Sequence, residues 1–104
     1  MVPSRVDQFQ TLVNREPNNE LFRFSLAQAL LAEGKPATAQ PHLEFCVQKK
    51  SDWMMPRILL GKLFVAAGRA SDARAVLESA LRLAVDQHHE TPEAEIRALL
   101  AAMQ

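Results

Sequence analysis

A chain of 104 residues and 11.6 kDa has room for one domain, and at that size folding buries roughly two thirds of the surface that the unfolded chain exposes. Its hydrophobic share of 48%, with three glycines and six prolines, excludes a disordered chain. Twelve Lys plus Arg balance twelve Asp plus Glu, which excludes the broad positive field that gathers phosphates, so nucleic acid is not an expected partner.

The first predicted helix, over residues 4–16, opens at Ser4-Arg5-Val6-Asp7, a sequence that suits a capping box. Val6, Phe9, Leu12 and Val13 give it one apolar side, and Pro17 ends it. Asn18 or Asn19 caps the second helix, where Leu26, Leu30 and Leu31 fall on one face. Gly34 closes that helix, because a helix C-terminus commonly needs a left-handed residue, and Pro36 suits the first turn of the next. This third helix extends to about Lys50. Pro41 lies beyond its first turn, where a missing backbone donor is expected to bend the helix or delay its start.

Ser51 or Asp52 is the expected cap of the fourth helix, with Pro56 early enough to be harmless and Gly68 as the stop. Ser71 or Asp72 opens the fifth, whose stripe is Ala73, Val76, Leu77, Ala80, Leu81 and Ala84. After the polar stretch from Asp86 to Glu90, Thr91 as cap, Pro92 at the first helical position, and Glu93 and Glu95 near the positive helix end start a sixth. Ile96, Leu99, Leu100 and Met103 supply its apolar face. The fold class is thus all-α, with about six helices arranged as antiparallel hairpins.

A period runs beneath these elements. Residues 20–50 laid over residues 54–84, a shift of 34, pair Arg23 with Arg57, Leu26 with Leu60, Ala32 with Ala66 and Gly34 with Gly68. Ala39 with Ala73, Leu43 with Leu77 and Glu44 with Glu78 continue the register. Ala27/Gly61, Leu30/Phe64, Lys35/Arg69 and Cys46/Ala80 keep size or charge. One such hairpin cannot bury its apolar face alone, whereas stacked neighbours form a continuous core.

In these residues the chain resembles the tetratricopeptide repeat family, whose units are also helix-turn-helix and 34 residues long. The second unit carries the fuller match, with Leu60-Gly61, Phe64, Gly68, Ala73, Leu77, Ala80 and Leu81 at the family's conserved-type positions. The first answers with Leu26-Ala27, Leu30, Gly34, Ala39, Leu43, Cys46 and Val47. Phe9, Leu12-Val13 and Pro17 look like the second half of a preceding repeat. The resemblance covers residues 9–85, and the chain reads as one domain over residues 1–104, comprising a half-repeat (4–16), two repeats (20–50 and 54–85) and a C-terminal capping helix (91–104). Arg23 and Arg57 stand where the family usually has tryptophan, and their aliphatic stems are expected to cover apolar surface.

No phosphate loop, nucleophile elbow or paired-cysteine motif occurs, so neither catalysis nor a cofactor or metal is expected. His88 and His89 are adjacent and lack the spacing that sets two ligands on one helical face. His42 and Cys46 have that spacing, but an unpaired cysteine at a small-residue core position reads as structural. A lone cysteine fits a reducing compartment. With no apolar run near the roughly 20 residues that cross a bilayer, and no hydrophobic signal region in Met1-Val2-Pro3-Ser4-Arg5, a cytoplasmic location away from membranes is expected.

What the resemblance implies functionally is an adaptor: the first helix of each unit lines a concave groove that receives a peptide or helix of a partner protein. The groove residues would be Leu21, Phe24, Gln28 and Leu31, then Met55, Ile58, Lys62 and Val65. Some family members bind a chaperone's terminal carboxylate through Lys, Asn and Arg here. With Lys62 the lone cation, that activity is not expected. The alternative is a structural subunit that self-assembles as a homodimer through the same surface.

Overall fold

The computed structural model describes residues 3–103. Six α-helices account for nearly all of them: α1 (Arg5–Arg15), α2 (Glu20–Ala32), α3 (Pro36–Lys49), α4 (Met54–Ala66), α5 (Ala70–Asp86) and α6 (Glu90–Ala102). No strand occurs among the described residues, and none of their helices is long and apolar enough to cross a membrane. The helices group into two compact units, Met1–Ser51 and Asp52–Gln104.

In the first unit α2 packs against both α1 and α3. Ser4 caps α1, its hydroxyl accepting from the Asp7 amide at 3.1 Å, and Asn19 caps α2 in the same way from the Phe22 amide at 3.1 Å. Leu26, Ala27, Leu30, Ala39, Leu43 and Cys46 are buried at this hairpin. Pro41 neither breaks α3 nor delays it: the helix starts at Pro36 and continues through. Pro41 is exposed, on the side where water can satisfy the carbonyl that loses its donor.

In the second unit α5 packs against both α4 and α6. Met54, Ile58, Leu77, Ala80, Ala84 and Ile96 form its buried core, with Leu81, Leu83, Leu99, Leu100 and Met103 packed around it. Three helix starts differ from the sequence reading. Trp53, not Ser51 or Asp52, is the N-cap of α4, and it makes no side-chain cap bond. α5 begins at Ala70 after Arg69, and Asp72 lies in its first turn, accepting from the Arg69 Nε at 2.9 Å. α6 begins at Glu90 after His89, so Thr91 and Pro92 fall inside its first turn.

One turn geometry explains the last two shifts. Gly34 and Gly68 are left-handed, at φ 73° and 75°. The residue after each returns its amide to the preceding helix, Lys35 to the Leu30 carbonyl and Arg69 to the Phe64 carbonyl, both at 2.9 Å. Having closed one helix, the chain re-enters the next at once, without the side-chain cap that a looser turn requires. The link from α5 to α6 repeats this geometry: His88 is left-handed at φ 58°, and the His89 amide reaches the Ala84 carbonyl at 2.9 Å. A histidine tolerates that conformation less well than glycine. His88→Gly should therefore raise stability by about 0.5–1 kcal/mol, a few degrees in a thermal melt followed by circular dichroism. A lowered Tm would show that the backbone at residue 88 relieves no strain.

Candidate protein-binding surface

The outward side of each repeat's first helix is built differently in the two units. On α2, Leu21 is 59% exposed, Phe24 and Leu31 are half-buried and Gln28 is exposed. Gln28 lines a shallow pocket of about 320 Å³ with Arg5, Ala29, Ala32 and Glu33. On α4, Met55 and Val65 are 43% and 41% exposed. Ile58 does not face outward as the sequence reading has it: it is 2% exposed, held in the core beside Ile96 of α6. Lys62 is exposed but occupied, its ammonium 2.6 Å from the Glu95 carboxylate of α6.

Both differences have one cause. α6 runs beside α4 in the second unit. Met55 and Pro92 line one pocket of about 220 Å³, with Trp53 and His89, while Val65 and Ala102 share another of about 210 Å³ at the opposite end of α4. Because α4 and α6 are each 13 residues long, their positions match at a shift of 36, with Pro56 answering Pro92 and Leu60 answering Ile96. α6 thereby presents Thr91, Ala94, Ala98 and Ala101 at the positions of Met55, Ile58, Lys62 and Val65, and all four are exposed. The sequence reading took α6 as a cap alone and missed this face. The signal was there at a shift of 36, hidden because α5 is 17 residues long against 14 for α3.

The two arginines at the tryptophan position behave as packing residues, each tying a first helix to its second. The Arg23 guanidinium lies 4.4 Å from the centre of the Phe45 ring and donates to the Pro17 carbonyl at 2.8 Å. Arg57 donates to the Ser79 hydroxyl at 2.5 Å. Lys49 fastens the open end of the first hairpin by donating to the Asn18 carbonyl.

Cys46 is buried, with its thiol 3.4 Å from the Glu20 carbonyl oxygen. Burial, reinforced by the Glu20 charge and only partly opposed by Arg23, pushes it up to about 11, so at neutral pH it is a thiol rather than a nucleophilic thiolate. His42 is held below its ordinary value by burial and by the Arg23 charge, which favours the neutral ring. Among the described residues no cluster of His, Cys, Asp and Glu has the geometry to hold a metal ion.

A tetratricopeptide repeat model matches residues 30–103. The chain belongs to the tetratricopeptide repeat family. A TPR repeat-containing protein of Pseudomonas aeruginosa is 28% identical over 95 residues, spanning 91% of this chain and 90% of the relative. Among solved structures, PcrH in complex with the chaperone binding region of PopD matches 94% of this chain and 74% of its own, with a TM-score of 0.87 at 19% identity. The type III secretion translocator chaperone SycD of Yersinia enterocolitica matches 94% and 68%, with a TM-score of 0.87 at 16% identity. At such identities these two likenesses concern the fold of the tetratricopeptide chain alone.

Proposed function

We propose that the chain is a non-catalytic adaptor that binds a peptide or helix of another protein on the outward faces of its first helices. The observation that carries this reading is that three of the four exposed large apolar side chains among the described residues, Leu21, Met55 and Val65, stand at those positions, and it is apolar surface gathered on one kind of face, rather than scattered singly, that marks a contact surface. PcrH, of the same fold, is solved with a segment of PopD, which supports a protein segment as the class of ligand. Phe24 and Leu31 extend the apolar area on α2 and Gln28 supplies a polar contact beside it, while on α4 Lys62 is paired with Glu95.

Magnitude sets the expected strength. With Ile58 in the core, five apolar side chains remain; half-burying each contributes roughly 4–8 kcal/mol gross, against association costs of about 4 kcal/mol or more. Tight binding then depends on the polar margin or on a long partner segment. Photo-crosslinkers placed at Leu21 and at Met55 in the native cell should capture the same partner, while one at Arg82, exposed on α5, should not. Leu21→Asp and Met55→Asp should each weaken that partner's binding about tenfold or more, the equivalent of roughly 1.4 kcal/mol. Equal capture from all three positions, or undiminished binding by both variants, refutes the assignment of these faces.

A further inference from the structure

Trp53 and Met55 at the start of α4 and Pro92 at the start of α6 form the apolar part of a cleft of about 220 Å³, and Asp52, Gln87 and His89 form its polar part. Its walls are tied together. The Gln87 side-chain amide donates to the Asp52 carbonyl at 2.9 Å, which joins the link between α5 and α6 to the segment that leads into α4. That link is pinned in turn to α5, because the Gln87 and His89 amides reach the Leu83 and Ala84 carbonyls, each at 2.9 Å. The cleft is thus shaped before anything docks, and docking orders little of the chain.

Size and lining select the class of occupant. Clefts for free small molecules run to about 300–1,000 Å³; this one is smaller and has room for one large side chain. Met55 is 43% exposed and Trp53 and Pro92 are half-buried, so the side chain that covers them is apolar. The rim adds a preference of charge. Asp52 lines the cleft, Asp86 adjoins Gln87, and Glu90 adjoins His89. All three are exposed, and none forms an ion pair among the described residues, whereas Glu93 and Glu95 are taken by Arg97 and Lys62. Residues 51–56 and 83–96 hold no lysine or arginine.

Resting on the adaptor reading above, we infer that this cleft seats one leucine, methionine or phenylalanine of a partner segment in which lysine or arginine flanks that anchor. The apolar seat supplies the affinity. The carboxylates around it attract the flanking cations and repel a segment whose anchor sits among acidic residues, which makes the rim the source of selectivity.

The test uses the full chain and its single tryptophan, Trp53, whose fluorescence reports occupancy of the cleft. Three end-capped pentapeptides serve as probes: Lys-Lys-Leu-Lys-Lys, the same with serine for the leucine, and Glu-Glu-Leu-Glu-Glu. At low salt the first should shift the Trp53 emission and saturate with a Kd of about a millimolar or below. Serine at the anchor should weaken binding about tenfold or more, and so should the glutamate flanks. Asp52→Asn keeps the backbone carbonyl that Gln87 holds, so its circular dichroism should match the wild type while the lysine probe binds about twofold to fivefold more weakly. Raised salt should act in the same direction.

Four results would overturn the inference: no shift with the lysine probe, equal binding of the lysine and glutamate probes, affinity indifferent to both the leucine and Asp52→Asn, or a Trp53 emission that follows the protein's own concentration, which would make a second copy the occupant. Failure here is distinct from failure of the adaptor reading. Crosslinkers at Leu21 and Met55 that capture one partner, with a lysine probe that leaves Trp53 unchanged, would overturn the preference of this cleft alone. A cleft that discriminates among the probes, with no shared capture, would overturn the adaptor reading instead.

Discussion

Removal of residues 91–104 is expected to abolish cooperative folding of the second unit and to leave a chain that aggregates. Ile96 is fully buried among Met54, Ile58, Leu77, Ala80 and Ala84, while Leu99, Leu100 and Met103 pack half-buried beside it. Counting one full and three half burials, α6 contributes roughly 4–8 kcal/mol of gross apolar stabilisation. That is comparable with the whole net stability of a domain this size, about 5–15 kcal/mol. Truncation also spares the entropy of ordering α6, so the deletion alone overstates or understates the packing. Ile96→Ala isolates it. Creating that cavity should cost about 2–5 kcal/mol and lower the Tm by on the order of 10 °C or more, with the helical signal intact at low temperature. A truncated chain that melts cooperatively as a monomer at the wild-type temperature would show that α6 is dispensable to the core.

The architecture was legible in the sequence because it rests on features with a fixed period. Gly34 and Gly68, 34 residues apart, announce the same left-handed turn, and the Leu26/Leu60 and Leu43/Leu77 pairs announce the buried seam between hairpin helices. What was hidden is where that periodicity is carried by a residue of another type. His88 makes the glycine turn without glycine, and a three-residue excess in α5, less one residue from the shorter link that follows it, moves the third copy to a shift of 36. The helix starts at Trp53, Arg69 and His89 were obscured for a related reason. Sequence rules look for Ser, Thr, Asp or Asn at a cap, and at Arg69 and His89 the turn itself satisfies the chain's amides.

The binding surface was harder to read than the fold because its residue types do not distinguish outward from inward. Phe24 and Ile58 are both large apolar residues at the same position of a first helix, yet one is half-buried and the other 2% exposed. The difference is set by α6, which the period of 34 did not place beside α4. Lys62, read as the groove's cation, is likewise taken up by Glu95 on that helix. Local pattern places a residue on a helix; only the neighbouring helix decides whether that face meets solvent.

Substitution of Gly61 is expected to show how closely α4 and α5 approach, with the sign of its effect reversing when Leu77 is cut back. A Cβ at residue 61 would lie 2.3 Å from the Leu77 Cδ2 and 2.5 Å from its Cγ, and Leu77 has no exposed surface toward which to swing. In the first hairpin the matching pair is Ala27 and Leu43, both fully buried, so that crossing accommodates the extra methyl. Gly61→Ala sets about 1 kcal/mol of improved helix propensity against an overpacking cost of about 1–3 kcal/mol, a net loss of up to about 2 kcal/mol. Gly61→Leu, which cannot be absorbed by rotation of one side chain, should cost roughly 3 kcal/mol or more by forcing the helices apart. Leu77→Ala alone opens a cavity and should cost about 2–5 kcal/mol. In that background the added methyl of Gly61→Ala has room, and the substitution should turn neutral or stabilising by up to about 1 kcal/mol. Urea titrations of the wild type, both single variants and the double variant complete the cycle. Equal effects of Gly61→Ala in the two backgrounds would mean that glycine 61 is not set by its contact with Leu77.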